Sequence, residues 1–217
     1  MSWLGPGHPP HPQHHRGANV SRLVSRAPPY RDFAMDFDKL DNDELLRLSL
    51  DAINTNRDAD AVVMLKTLLE REPGHVFATY LLAAQHAQLG MMDRAEAGFR
   101  AVVLDAPEFP IARFQLGQLL LVKGVNDEAR QVLAPLMDDR QALGAYARAL
   151  HAAAVEDLST ALAELEAGLA LPQDIPALGL DMRRLHDQMQ VAAAQAAVPA
   201  DAAAPSALFL SNYGREG

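Results

Sequence analysis

Displaced by 34 residues, much of the chain falls on itself. Pro73 lands on Pro107, Ala61 on Ala95 and then Ala129, and Leu65 on Phe99 and then Leu133. Leu48 lands on Leu82 and Leu116, Ser49 on Ala83 and Gly117, and Asn56 on Gly90 and Gly124. Apolar meets apolar, small meets small, and turn former meets turn former. A fixed period of this length marks a supersecondary unit that cannot bury its own apolar face and must stack on its neighbours.

Each unit reads as two helices. "DNDELLRLSLDAINTN" predicts a helix with Leu45, Leu48 and Ala52 on one stripe, ended at Asn56. "DADAVVMLKTLLEREP" predicts a second, with Ala61, Leu65 and Leu68 facing the first. Small residues at Ser49, Ala83 and Gly117 are expected to oppose Ala61, Ala95 and Ala129, so that the helices approach closely. Gly90 and Gly124 accept the left-handed backbone that ends a helix, and Asn56 tolerates it. Asp93 with Glu96 is expected to form a capping pair, and Asn126 to serve as an N-cap. Pro73 and Pro107 then stop the second helices.

A fourth, degenerate unit follows in "GAYARALHAAAVEDLSTALAELEAGLALPQDIP". There Leu150, Ala154, Ala163 and Ala170 fall near the repeating columns, His151 replaces a small residue, and a small shift near Asp157 improves the turn. Beyond it, Met182, Leu185, Met189 and Ala196 share one helical face, with Arg183, Arg184, Asp187 and Gln188 away from it. A terminal cap needs one apolar face for the last repeat and one polar face for water. The expectation is therefore an all-α solenoid, with repeats over 35–176 and a capping helix over 177–197.

These residues resemble the tetratricopeptide repeat, whose unit is 34 residues of helix–turn–helix. Leu82–Ala83 and Leu116–Gly117 match its apolar–small pair, and Ala95, Phe99 and Pro107 match its second helix and closing proline. The resemblance covers residues 42–141. Leu45, Thr79 and Arg113 stand where the family has an early aromatic, and Gln141 stands where the third unit's proline belongs. The resemblance implies a superhelix whose first helices line a concave, peptide-binding face. Helical spacing then presents Leu46, Leu50 and Ile53 from the first unit and Phe77, Tyr80, Ala84 and Gln88 from the second. The third presents Ile111, Phe114, Gln118, Leu121 and Val122. Such side chains serve either as packing against neighbouring repeats or as an apolar groove with Phe77, Tyr80 and Phe114 as anchors. Relatives that hold acidic chaperone tails use a cationic clamp. The corresponding positions here, Leu46, Leu50, Leu81, Ile111 and Gln115, carry no positive charge, which weighs against that partner.

The ends differ from the repeats. Residues 1–34 are rich in Pro, His, Gly and Arg without periodicity, which predicts a disordered tail. Met35, where the periodic part begins, is a candidate start of translation. His8, His11, His14 and His15 are a weak metal-binding cluster at most. Residues 198–217 read as an Ala/Pro linker carrying a short apolar motif, Leu208, Phe209, Leu210 and Tyr213, that is either a docking element or a frayed end.

Catalytic patterns are lacking. There is no phosphate-binding glycine loop and no His–Glu–x–x–His helix. "DFDKLDND" lacks the glycine and distal glutamate of a calcium loop and suits a helix start, where carboxylates complement the dipole. His75, His86, His151 and His186 are scattered. With no cysteine, thiolate zinc sites and a Cys nucleophile are excluded. A net charge of −9 argues against a nucleic-acid surface, and no apolar run approaches the ~18 residues of a membrane span. No cofactor and no metal is expected.

The expected function is a non-enzymatic adaptor that binds a protein or peptide segment in an apolar groove. The alternatives are a secretion-type chaperone for a hydrophobic client, which "APEFPIARFQLGQLLLVKGVNDEA" resembles in its third repeat, and an accessory repeat subunit of an enzyme acting in trans. An Arg-rich, Lys-poor chain (16 Arg, 3 Lys) without cysteine suits a bacterial cytoplasmic protein.

Overall fold

The computed structural model describes residues 37–196. The chain divides into two units, Met1–Met35 and Asp36–Gly217, and all the described residues belong to the second. They form nine α-helices, and no strand occurs among them. Four antiparallel hairpins follow one another: α1 (Asn42–Asn54) with α2 (Asp58–Arg71), α3 (Val76–Gln88) with α4 (Met92–Asp105), α5 (Pro110–Val122) with α6 (Asn126–Leu133), and α7 (Ala142–Ala153) with α8 (Leu158–Ala170). A single long helix, α9 (Pro176–Ala196), packs on α8.

The turn inside each hairpin has one construction. Asn56, Gly90, Gly124 and Glu156 take positive φ of 60°, 73°, 74° and 60°. The following N–H donates five residues back: Arg57 to Ala52, Met91 to His86, Val125 to Leu120 and Asp157 to Ala152. A second bond runs three residues back from the left-handed residue itself, which satisfies carbonyls that a helix end otherwise leaves bare. Gly90 and Gly124 adopt this backbone without a Cβ penalty, whereas Glu156 bears it. The step from Gly124 to Glu156 is two residues short of the earlier period, which is the shift expected near Asp157.

Prolines end the second helices as expected: α2 and α4 stop at Arg71 and Asp105, two residues before Pro73 and Pro107. The third hairpin differs. Pro135 cuts α6 to eight residues and turns the chain into a 3-10 segment, Ala134–Leu136. The irregular stretch beyond is held by Arg148, which donates to the carbonyls of Met137 (2.8 Å) and Asp139 (3.2 Å) and pairs with Glu164 (2.9 Å). Gly144 lets Asp139 lie directly against α7, since a Cβ there would collide with the Asp139 carbonyl.

Two capping expectations are corrected. The residue before α4 is Met91 and the residue before α6 is Val125, neither with a side-chain cap. Asp93, Glu96 and Asn126 lie inside the helices, because the left-handed turn delivers the chain into the next helix within two residues. Asp93 and Glu96 instead bind Lys123 across the repeat boundary, at 2.8 and 2.6 Å. Arg100 joins Glu96 (2.8 Å) to Glu128 (2.6 Å). These bonds hold the Asp93, Glu96 and Glu128 carboxyls below the usual carboxylate range.

The core runs between the helix layers. Leu45, Ala52, Ala61, Leu65 and Leu68 are fully buried in the first hairpin, and Ala95, Phe99, Ala129 and Leu133 in the next two. Small residues set the helix distance, because a Cβ on Gly98 would lie 2.7 Å from that of Ala83, and one on Gly117 would lie 2.5 Å from Leu133 Cγ. On α9, Met182, Leu185 and Met189 are buried while Arg183, Arg184 and Asp187 face outward. The last helix thus closes the core with an apolar face and shows water a polar one.

Candidate functional site

The first turn of α3 is set by His75, whose Nδ1 accepts from the Ala78 N–H at 3.1 Å. Phe77 and Tyr80 follow on one face of that turn, since residues three apart are neighbours on a helix. The start of α5 is set by Pro110 at its first position, with a missing N–H that the helix does not need. Phe109, just before it, is brought beside α3.

The result is a contiguous aromatic surface. Phe77 and Tyr80 stack with ring centroids 6.2 Å apart, and Phe109 meets both edge-on, at 6.4 and 5.1 Å. Tyr80 reaches inward to Phe99 at 6.0 Å. Phe77 is 38% exposed, and Tyr80 and Phe109 are half-buried. Burial pushes the Tyr80 hydroxyl up to about 12, so it stays a neutral phenol throughout the physiological range. The patch combines apolar area with one hydroxyl, a composition common at contact surfaces.

The other expected groove residues divide by burial. Leu46, Leu50, Ala84 and Val122 are half-buried and Gln88 is exposed. Ile111, Phe114, Gln118 and Leu121 are buried, Phe114 completely. The cause is α7, which packs on α5 and brings Tyr146, Ala147 and Leu150 into the same core cluster as Phe114. Phe109 was not among the expected residues. Its signal was an aromatic immediately before a proline that opens a helix. The tail motif Leu208, Phe209, Leu210 and Tyr213 lies outside the described residues, as do residues 1–34 and the linker from 198.

Among the described residues no group of three His, Asp or Glu side chains is placed to hold a metal ion. No helix among them is long and apolar enough to cross a membrane.

No protein-family model matches the chain, and no curated protein matches it. Solved structures do. A MamA RS-1 ArsTM double mutant is similar with a TM-score of 0.53, at 18% identity over 79% of this chain and 92% of that one. MamA from Desulfovibrio magneticus RS-1, residue 41 to the end, is similar with a TM-score of 0.51 at the same identity and coverage. The TPR domain of P58(IPK) aligns at 18% identity over 80% of this chain and 50% of that one, with a TM-score of 0.44. The repeating helical hairpins and their common turn give this chain the fold of a tetratricopeptide-like α-solenoid.

Proposed function

We propose that the protein is a non-enzymatic adaptor that binds an apolar, aromatic-bearing segment of a partner protein. The contact surface is that of Phe77, Tyr80 and Phe109, extended by Ala84 and Gln88 along α3 and by Leu46 and Leu50 on α1. The single observation behind this reading is the aromatic cluster itself: three rings in mutual contact, with Phe77 left 38% exposed at the surface. Aromatic side chains offer large contact area for little conformational entropy, which is why they anchor interfaces. Phe114, Ile111 and Leu121 act beneath this surface, holding α5 in place.

Affinity capture from native lysate tests the reading. The wild type is compared with a Phe77→Glu, Gln88→Glu variant, after equal helicity has been verified for both. Both sites are exposed, so the fold tolerates the change. A partner lost only in the variant supports the proposal. A partner retained by both places the binding site elsewhere.

A further inference from the structure

The turns within the second, third and fourth hairpins share a feature unrelated to the aromatic surface. Each exposes large apolar side chains beside its left-handed residue: Leu89 and Met91 at 44% and 42%, Val125 at 40% and Val155 at 50%. The first turn has polar Thr55 and Arg57 in those places. Single exposed apolar residues are ordinary on a surface. Here the hairpins stack in the same direction, so the three turns share one edge, stepped about 10 Å apart by helix packing.

Helix α9 ends at that edge. It is joined to α8 by a short connection and runs back along it. The contact between His186 Nε2 and Glu166 Oε1 (3.3 Å) fixes their register. Glu166 lies eight residues from the start of α8 at Leu158, and eight residues beyond His186 is Ala194. The last turn of α9 therefore stands level with Asp157 and Val155. From Ala196 the sequence runs through Val198 and then small residues, prolines and Asp201 to Leu208, Phe209, Leu210 and Tyr213. The twelve residues from Ala196 to Leu208 reach at most about 40 Å. All three turns lie within about 30 Å of α9.

We infer that Leu208–Tyr213 packs along this edge as a strap over Val155, Val125 and Met91. Leu210 and Tyr213 are three residues apart, which in a polyproline-II conformation puts both on one face about 9 Å apart, matching the step between turns. The segment carries no charge. It therefore meets the acidic residues beside these turns, Asp93, Asp127 and Asp157, without like-charge repulsion.

The chain has no cysteine, so Ser211→Cys accepts a single nitroxide label between the proposed anchors. Electron paramagnetic resonance of the full chain reads its mobility. The expected result is a rotational correlation time at least threefold longer in the otherwise wild-type background than after Met91→Asp with Val125→Asp, and unchanged by tenfold dilution. Leu210→Asp with Tyr213→Asp, which leaves the repeats untouched, must release the label equally. A fast label in the wild-type background overturns the inference. A slow label that Met91→Asp with Val125→Asp does not release places the segment elsewhere, the aromatic surface included, and also overturns it. Release on dilution identifies a second copy as the occupant and overturns the strap.

Discussion

Tyr146 Oη donates a hydrogen bond of 2.8 Å to Gln173 Oε1. The Gln173 amide in turn donates to the carbonyls of Gly168 (2.9 Å) and Leu171 (2.7 Å). One side chain thus joins the inside of α7, the open end of α8 and the chain about to enter α9. Gly179, in the first turn of α9, completes the fit, since a Cβ there would lie 2.6 Å from Gln173 Oε1. The capping helix is aimed by this latch as well as by its apolar face.

Removing either partner should loosen that aim. Tyr146→Phe leaves the Gln173 acceptor unpaired and is expected to cost about 1–2 kcal/mol, and Gln173→Ala a similar amount. Because both act through one bond, the double variant should cost clearly less than the sum. Urea denaturation of the four proteins measures this. Full additivity would show that the two residues stabilise the fold independently.

Gly168 sits where Tyr146 needs space. A Cβ at that position would lie 2.5 Å from the Tyr146 ring, and Tyr146 is itself buried with no room to withdraw. Gly168→Ala is expected to destabilise by about 1–3 kcal/mol through overpacking. Gly74→Ala is the control, because nothing lies within 4 Å of the added atom and its φ is not positive. That change should be neutral or stabilise by up to about 1 kcal/mol. Equal effects at the two sites in thermal denaturation would refute the packing argument.

The turns allow opposite substitutions at equivalent places. Glu156 holds a backbone that glycine adopts freely, so Glu156→Gly should stabilise by about 0.5–1 kcal/mol. Gly90→Ala, in the same conformation, should destabilise by about 1 kcal/mol although space around it is open. Denaturant midpoints of the two variants settle the sign at each site.

These turns also explain why so much of the fold was legible. A left-handed residue that ends a helix restricts the residue type strongly, so Asn56, Gly90 and Gly124 mark the hairpins directly. The small residues at Ala83 and Gly117 are as restricted, by distances that no larger side chain fits. What escaped depends on approaches between distant helices. Phe114 lies one period beyond Tyr80, where the sequence leaves core and groove both open, and the position of α7 makes it core. Asp93 and Glu96 have the pattern of a cap, but Lys123, about 30 residues on, takes both. Pro135 is a helix breaker visible in the sequence, six residues before Gln141, where the family's proline belongs, and it ends the third hairpin's second helix.

The last prediction concerns pH. His86 is 8% exposed, and its Nε2 has no hydrogen-bond partner among the described residues. Burial lowers its pKa from 6.5, and Lys66 and Arg94 lower it further. His151 shifts the same way through burial and Arg130. A histidine with a folded pKa below its unfolded one binds fewer protons when folded, so stability rises with pH between the two values. The contribution is complete above about 6.5 and is lost as pH falls below it, levelling off beneath the folded pKa. The depressed carboxylates Glu96, Glu128 and Asp157 act lower, since their stabilisation stays complete until pH falls toward the ordinary carboxylate range. Half-buried Asp181, with a pKa raised by partial burial, opposes them there. The interval from about pH 5 to 7.5 therefore belongs mainly to the histidines. Leucine occupies the equivalent position at Leu120, so His86→Leu should raise the urea midpoint and flatten its fall across this interval. Parallel pH profiles for variant and wild type would show that His86 titrates alike in the folded and unfolded chains.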